Sequence, residues 1–245
     1  SGTGNIALGA AGFGVRGNVH IQGGNSLDLS ALKEVGRDNG AGDKSRDGNL
    51  LLSWEALNTA GLAAIETLYG NLVLDGDSNP INLSALNLGS LQYVGHLPRE
   101  IGDAFPSLIL KGAGLSEQDG ALPGLKEVGN LLIEDTTLAY FDLPSLTSTR
   151  ADLILRNNGS LRNPSLPGLN TVDGDLRLEN NGTALSPGEY LALLPDDFDS
   201  SYPGNSTAGF DALTTLSGDL VLDGNTNSTG DGGLPECWAA NLASH

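Results

Sequence analysis

Polar and apolar positions alternate in a short phrase that returns along most of the chain. Its form is Gly-[Asn/Asp]-Leu-x-[Leu/Ile], seen at Gly48-Asn49-Leu50-Leu51-Leu52, Gly70-Asn71-Leu72-Val73-Leu74 and Gly129-Asn130-Leu131-Leu132-Ile133. It continues at Ala151-Asp152-Leu153-Ile154-Leu155, Gly174-Asp175-Leu176-Arg177-Leu178 and Gly218-Asp219-Leu220-Val221-Leu222. Gly17-Asn18-Val19-His20-Ile21 is an earlier copy, and Ser107-Leu108-Ile109-Leu110 is a degenerate one. Gly4-Asn5-Ile6-Ala7-Leu8 fits the phrase but stands too close to the next copy and reads as a cap. Alternation of this kind predicts a strand with its first and third apolar residues inward and the middle one outward. Parallel strands are therefore expected over 50–52, 72–74, 131–133, 153–155, 176–178 and 220–222, with Leu153, Leu155, Leu176 and Leu178 buried.

A second apolar phrase precedes each strand, as in Leu122-Pro-Gly-Leu125-Lys-Glu-Val128, Leu143-Pro-Ser-Leu146-Thr-Ser-Thr149 and Leu166-Pro-Gly-Leu169-Asn-Thr-Val172. The combined unit reads L-P-x-L-x-x-V-x-G-[ND]-L-x-[LI]. Counted from the Gly position, units start at 48, 70, 106, 129, 151, 174 and 218, so four of the six steps are 22 or 23 residues. A step of that size is one coil of a solenoid, which cannot bury its own apolar face and gains a core only by stacking. Asn and Gly after the strand supply the left-handed backbone of a corner.

The longer steps hold three polar or Gly/Pro-rich insertions, over Gly36–Asp47, Gly95–Phe105 and about Thr183–Gly209. Within the last, a short helix is expected over Pro187–Leu194, with Ser186 as its N-cap. A single solenoid domain is expected over 1–245, with regular coils from about 17 to 228 and the start of a further coil or a cap over 229–245. The chain opens at Ser1 with neither an initiating Met nor a signal peptide, so it reads as a mature or truncated product whose compartment stays open.

The unit, clearest in Leu166–Asn181 and Leu143–Asn158, resembles the receptor L-domain type of leucine-rich-repeat solenoid. Its phrasing is most similar to the Sps2-like GPI-anchored cell-wall glycoproteins of fungi and related microbial surface proteins. The resemblance covers roughly residues 17–225 and implies a β-solenoid of right-handed parallel coils of about 22–23 residues. It also implies an extracellular, non-catalytic protein of the cell surface or cell wall. The chain departs from receptor L-domains, which carry disulfide-bonded ends, in having one cysteine, Cys237. That residue is either a buried small hydrophobe or half of a bridge whose partner lies elsewhere. Gly233-Leu-Pro-Glu-Cys-Trp-Ala-Ala-Asn-Leu242 resembles the phrase of plant-type leucine-rich repeats.

Composition narrows the function. With 30 Asp+Glu against 12 Lys+Arg the net charge is −18, so no basic surface exists to neutralise nucleic-acid phosphates. No apolar run approaches the ~18 residues that cross a bilayer. Glycine at 35 of 245 residues is about twice ordinary usage, yet far below a collagen third. Five N-x-[S/T] sequons, at Asn82, Asn158, Asn181, Asn205 and Asn227, are candidate glycosylation sites, while Asn163-Pro-Ser is disqualified by its proline. Asn158 and Asn181 occupy the same place in successive repeats, so their sugars are expected one above the other on one edge.

No cofactor or resident metal is expected. Asp75-Gly-Asp77-Ser-Asn79 starts like a calcium loop, but Pro80 and Leu86 replace the Gly and Glu that loop needs. A looser calcium site there, or at Asp196, Asp197 and Asp199, is weaker than a solvated acidic loop. An enzyme would need a carboxylate pair such as Asp152 and Asp175 on neighbouring coils, but both sit at the [ND] turn position, and the reading is non-enzymatic. The outward column Leu51, Val73, Ile109, Leu132, Ile154 and Val221, broken by His20 and Arg177, is aliphatic and rimmed by polar positions; it reads as a contact surface, against the alternatives of plain strand preference for β-branched residues or a covering insertion loop. The expected function is a structural or adhesive surface glycoprotein that associates with copies of itself or other surface proteins. The alternative is a recognition module that binds a peptide or glycan on the strand face.

Overall fold

The computed structural model describes residues 6–7, 13–15, 19–22, 27–28, 32–36, 49–53, 62–77, 80–95, 105–116, 122–161, 163–182, 210 and 212–224. The repeating phrase forms the strands Val19–Gln22, Leu50–Ser53, Leu72–Asp75, Ser107–Lys111, Asn130–Glu134, Leu153–Arg156, Leu176–Glu179 and Leu220–Asp223. They lie side by side in chain order as one parallel eight-stranded sheet. Register is residue for residue: Leu72 pairs with Leu108, Leu108 with Leu131, Leu131 with Leu153, and Leu153 with Leu176. All six expected strands are present, and Leu153, Leu155, Leu176 and Leu178 have no exposed surface.

The Leu-Pro-x-Leu phrase is a turn rather than a strand. Among the described residues the amide of the fourth residue donates to the carbonyl of the first in six coils, three of them with proline second, for example Leu125 to Leu122 at 3.2 Å and Leu169 to Leu166 at 3.0 Å. Proline suits the second turn position because its φ is already fixed there. Both leucines of each such turn are buried. The turn delivers the chain into a two-residue strand, as at Glu127–Val128, Ser148–Thr149 and Thr171–Val172, and these build a second eight-stranded parallel sheet. Where the inward valine becomes Thr149, its hydroxyl donates to the Ala151 carbonyl at 3.0 Å, so the core tolerates it.

Small parallel pairs form a third side: Ile81–Asn82 with Leu115–Ser116, and Tyr140–Asp142 with Asn163–Ser165. Corners after the long strands need left-handed backbone, supplied by Gly112 (φ 94°), Asp135 (56°), Asn157 (57°), Asn180 (52°) and Gly224 (62°). At Gly112 a Cβ would also meet the Asp77 amide nitrogen at 2.5 Å, so glycine is required there twice over. The result is an all-β stack of parallel coils around one leucine core, the arrangement of a β-solenoid. Most of the three insertions, the expected helix over 187–194 and the segment 229–245 lie outside the described residues.

Candidate functional site

The outward face of the long-strand sheet carries three columns of side chains, one per coil in each. The first is the position before the first inward leucine, Asn or Asp except at Ser107. Asn71 and Ser107 donate their backbone N–H groups to Asn49 Oδ1 (2.8 Å) and Asn71 Oδ1 (2.6 Å). Farther along, Asp152 donates to Asn130 Oδ1 (3.1 Å), Asp175 to Asp152 Oδ1 (2.9 Å) and Asp219 to Asp175 Oδ1 (2.9 Å). Each coil thus accepts a hydrogen bond from the next through a side-chain oxygen. Asn and Asp both offer that oxygen, so Asn in the earlier coils and Asp in the later ones both fit this place. At the degenerate copy, Asn130 Nδ2 reaches back to the Phe105 carbonyl at 2.7 Å and so bridges the gap.

The second column is the aliphatic one. Val73, Ile109, Leu132 and Ile154 sit opposite one another in register, each half-buried. Arg177 interrupts the row and the half-buried Val221 resumes it; His20 and Leu51 hold the same register at the other end. Arg177 is anchored by Asp175 at 2.7 Å.

The third column alternates charge. Lys111 pairs with Asp75 at 2.8 Å, and Arg156 Nε donates to Glu134 Oε2 at 2.8 Å. Glu179 and Asp223 follow in register. Burial pushes the Asp75 carboxyl up, but the Lys111 ammonium and the Asp77 amide outweigh it and hold the group below its ordinary value. Lys111 is raised by that same contact with Asp75, and Arg156 by Glu134. In the first column, the Asp219 amide and then Arg177 lower Asp175, which raises Arg177 in return. From Val73 to Ile154 the aliphatic row is therefore bounded on both sides by polar groups that have partners.

The candidate acid–base pair takes part in this framework. Asp152 Oδ1 accepts the Asp175 amide, while Asp175 divides its oxygens between the Asp219 amide and Arg177. In the acidic turn, Asp75 accepts the Asp77 amide at 3.1 Å, and Asp77 accepts the Ala113 amide at 3.3 Å. Among the described residues no three His, Cys, Asp or Glu side chains gather as a metal-holding group, and no helix is long and apolar enough to cross a membrane. Asp196, Asp197, Asp199, Cys237, His96 and His245 lie outside the described residues.

The sequons divide. Asn158 is fully buried and Asn181 nearly so. Asn158 Oδ1 accepts the Thr136 amide (3.1 Å) and hydroxyl (2.8 Å), while its Nδ2 donates to the Ile133 carbonyl and Asn181 Oδ1, both at 3.0 Å. Asn181 Nδ2 donates to the Leu155 carbonyl at 2.8 Å. Sugars on one edge at these two residues are thus corrected to a buried ladder: a glycan on either Nδ2 would displace a donor that a buried carbonyl needs. Asp135-Thr136, Asn157-Asn158 and Asn180-Asn181 each pair a left-handed corner residue with the next, inward-facing one. Asn82 is exposed, and Asn205 and Asn227 lie outside the described residues.

No protein-family model, curated protein or solved structure matches this chain.

Proposed function

We propose that this chain is a structural or adhesive protein of the cell surface or cell wall, built to associate with other copies of itself. The observation that carries the reading is the aliphatic row Val73, Ile109, Leu132 and Ile154, in register and half-exposed on a flat sheet face between two polar rows. Water disfavours such a row, and a contiguous apolar strip with a polar rim is what a contact surface presents. The non-catalytic side of the reading draws on Asp152 and Asp175, whose carboxylates serve as coil-to-coil acceptors. The finer assignment, right-handed coils of the leucine-rich-repeat, receptor L-domain type and an extracellular setting, rests on the likeness of the repeat phrase.

A second reading is a recognition module for a peptide or glycan on the same face. It is favoured by Gly36 (φ 83°) and Gly95 (φ 79°), which follow short strands at the same level of their coils and open two of the insertions. In this reading the two insertions supply the binding rim. Electron microscopy with sedimentation over a concentration series separates the readings. Self-association gives filaments or a mass that grows with concentration; a recognition module stays monomeric throughout and overturns the first reading.

A further inference from the structure

The same three-residue signal occurs in two opposite environments, and that contrast assigns a modification site. Asn158 and Asn181 spend their side-chain amides inside the stack. Asn82 stands on the third side of the coil, between the buried residues Ile81 and Leu83, and points outward. Its backbone is held from the neighbouring coil: Ile81 N donates to the Gly114 carbonyl at 3.0 Å, and Leu83 N to the Ser116 carbonyl at 2.8 Å. Asn82 Oδ1 accepts the Ser84 amide at 3.0 Å. This closes an Asx turn across the sequon, with the oxygen occupied and the Asn82 residue exposed. The amide is thus presented on a fixed corner, with the hydroxyl-bearing residue of the sequon at the same bend.

We infer that Asn82 is an N-glycan acceptor of this fold, and that Asn158 and Asn181 are excluded as acceptors in the folded protein. The transfer uses a lipid-diphosphate-linked oligosaccharide. The bond from the sugar's anomeric carbon to the diphosphate oxygen breaks, a bond to Nδ2 forms, Nδ2 gives up one proton, and the lipid diphosphate departs. A glycan there stands on a different side of the coil from the aliphatic row, because Ile81–Asn82 and Leu72–Asp75 belong to different sheets. It would screen one flank of the stack and leave the proposed contact face open. The inference rests on the extracellular reading above, since only a chain that enters a secretory route meets the donor.

The test is secretion of the full chain from a eukaryotic host alongside a reference glycoprotein. Monodisperse, folded material is then mapped site by site by intact glycopeptide mass spectrometry. The expected result is a glycan at Asn82, bare peptides at Asn158 and Asn181, loss of the Asn82 glycan in Ser84→Ala and its retention in Ser84→Thr. Ser84→Ala keeps the backbone amide that closes the turn, so it removes the signal without removing the geometry. A bare Asn82 beside a modified reference protein overturns the inference, as does a glycan at Asn158 or Asn181 in folded material. Light scattering on the same sample keeps the two proposals apart. A glycosylated monomer contradicts self-association alone, and an assembling protein with bare Asn82 contradicts the glycan site alone.

Discussion

Two ladders of hydrogen-bonded side chains climb the stack, and they differ in what surrounds them. In the buried ladder of Thr136, Asn158 and Asn181, both halves of the Asn158 amide are used. In the surface ladder from Asn49 to Asp219, backbone amides bond to a side-chain oxygen at five steps, and the Asn71 and Asn130 side-chain amides add donors only in the Asn half. The ladders also run in opposite senses. In the buried one, an amide bonds to the oxygen of the following coil; in the surface one, to the oxygen of the preceding coil. Without water, a buried ladder must satisfy donors as well as acceptors, which a neutral carboxamide does and a carboxylate does not. On the half-exposed face water can take the place of a side-chain donor, so Asp152 and Asp175 hold the next coil through an oxygen alone, as Asn49 and Asn71 do with their oxygens.

The sharpest way to break this comparison is the Asn-to-Asp exchange made once in each ladder. Asn158→Asp buries a carboxylate with the Ile133 carbonyl facing it, and should cost at least ~4 kcal/mol at neutral pH. Acidification should lessen that loss, because the protonated carboxyl regains a donor. Asn130→Asp in the surface ladder keeps its oxygen and should lose less, the part-buried bonds to the Phe105 carbonyl and the Ser107 hydroxyl, about 1–2 kcal/mol. Urea denaturation at pH 7 and pH 5 measures both, and equal costs would erase the distinction.

Truncation tests the same contrast more gently. Asn158→Ala leaves the Thr136 amide, its hydroxyl and the Ile133 carbonyl without that partner, and should cost about 3 kcal/mol. Asp152→Ala removes one half-exposed acceptor and should cost about 1 kcal/mol. The difference appears as separated denaturation midpoints with a common slope.

Acid gives the smallest effect and touches the surface columns alone. Asp75 and Asp175 are held below their ordinary values in the folded chain, so near pH 4 the unfolded chain binds more protons. Their contribution is complete above about pH 5 and is lost as pH falls through roughly 4 and below. A thermal midpoint that is flat from pH 7 to pH 5 and then declines fits this assignment. A midpoint that rises on acidification reverses the sign and rejects it.

Much of the scaffold could be read from the chain because its signals are local. Alternation in Leu153-Ile154-Leu155 sets which side chains enter the core, and steps of 22 or 23 residues require each coil to cover the last. The second sheet was harder to read, since a two-residue strand such as Thr171–Val172 is too short to show a period. The burial of Asn158 and Asn181 was hidden for another reason. An N-x-[S/T] sequon and a ladder asparagine are spelled alike, and only the inward turn after a left-handed residue separates them. Of the contact face, the column membership was legible from strand period. Its charge pairing, such as Lys111 with Asp75 across 36 positions (111 − 75 = 36), depended on an insertion length that no local pattern encodes.

The functional account depends most on the aliphatic row. Sedimentation velocity over a concentration series, on the wild-type chain and on the Leu132→Lys/Ile154→Lys variant, tests it directly. Both side chains are half-exposed, so the two lysines can extend their ammonium groups to water without entering the core. The account predicts a wild-type mass that rises with concentration and a variant that stays monomeric with an unchanged circular dichroism spectrum. Equal assembly of the two proteins, or a wild type that is monomeric at every concentration, would contradict it.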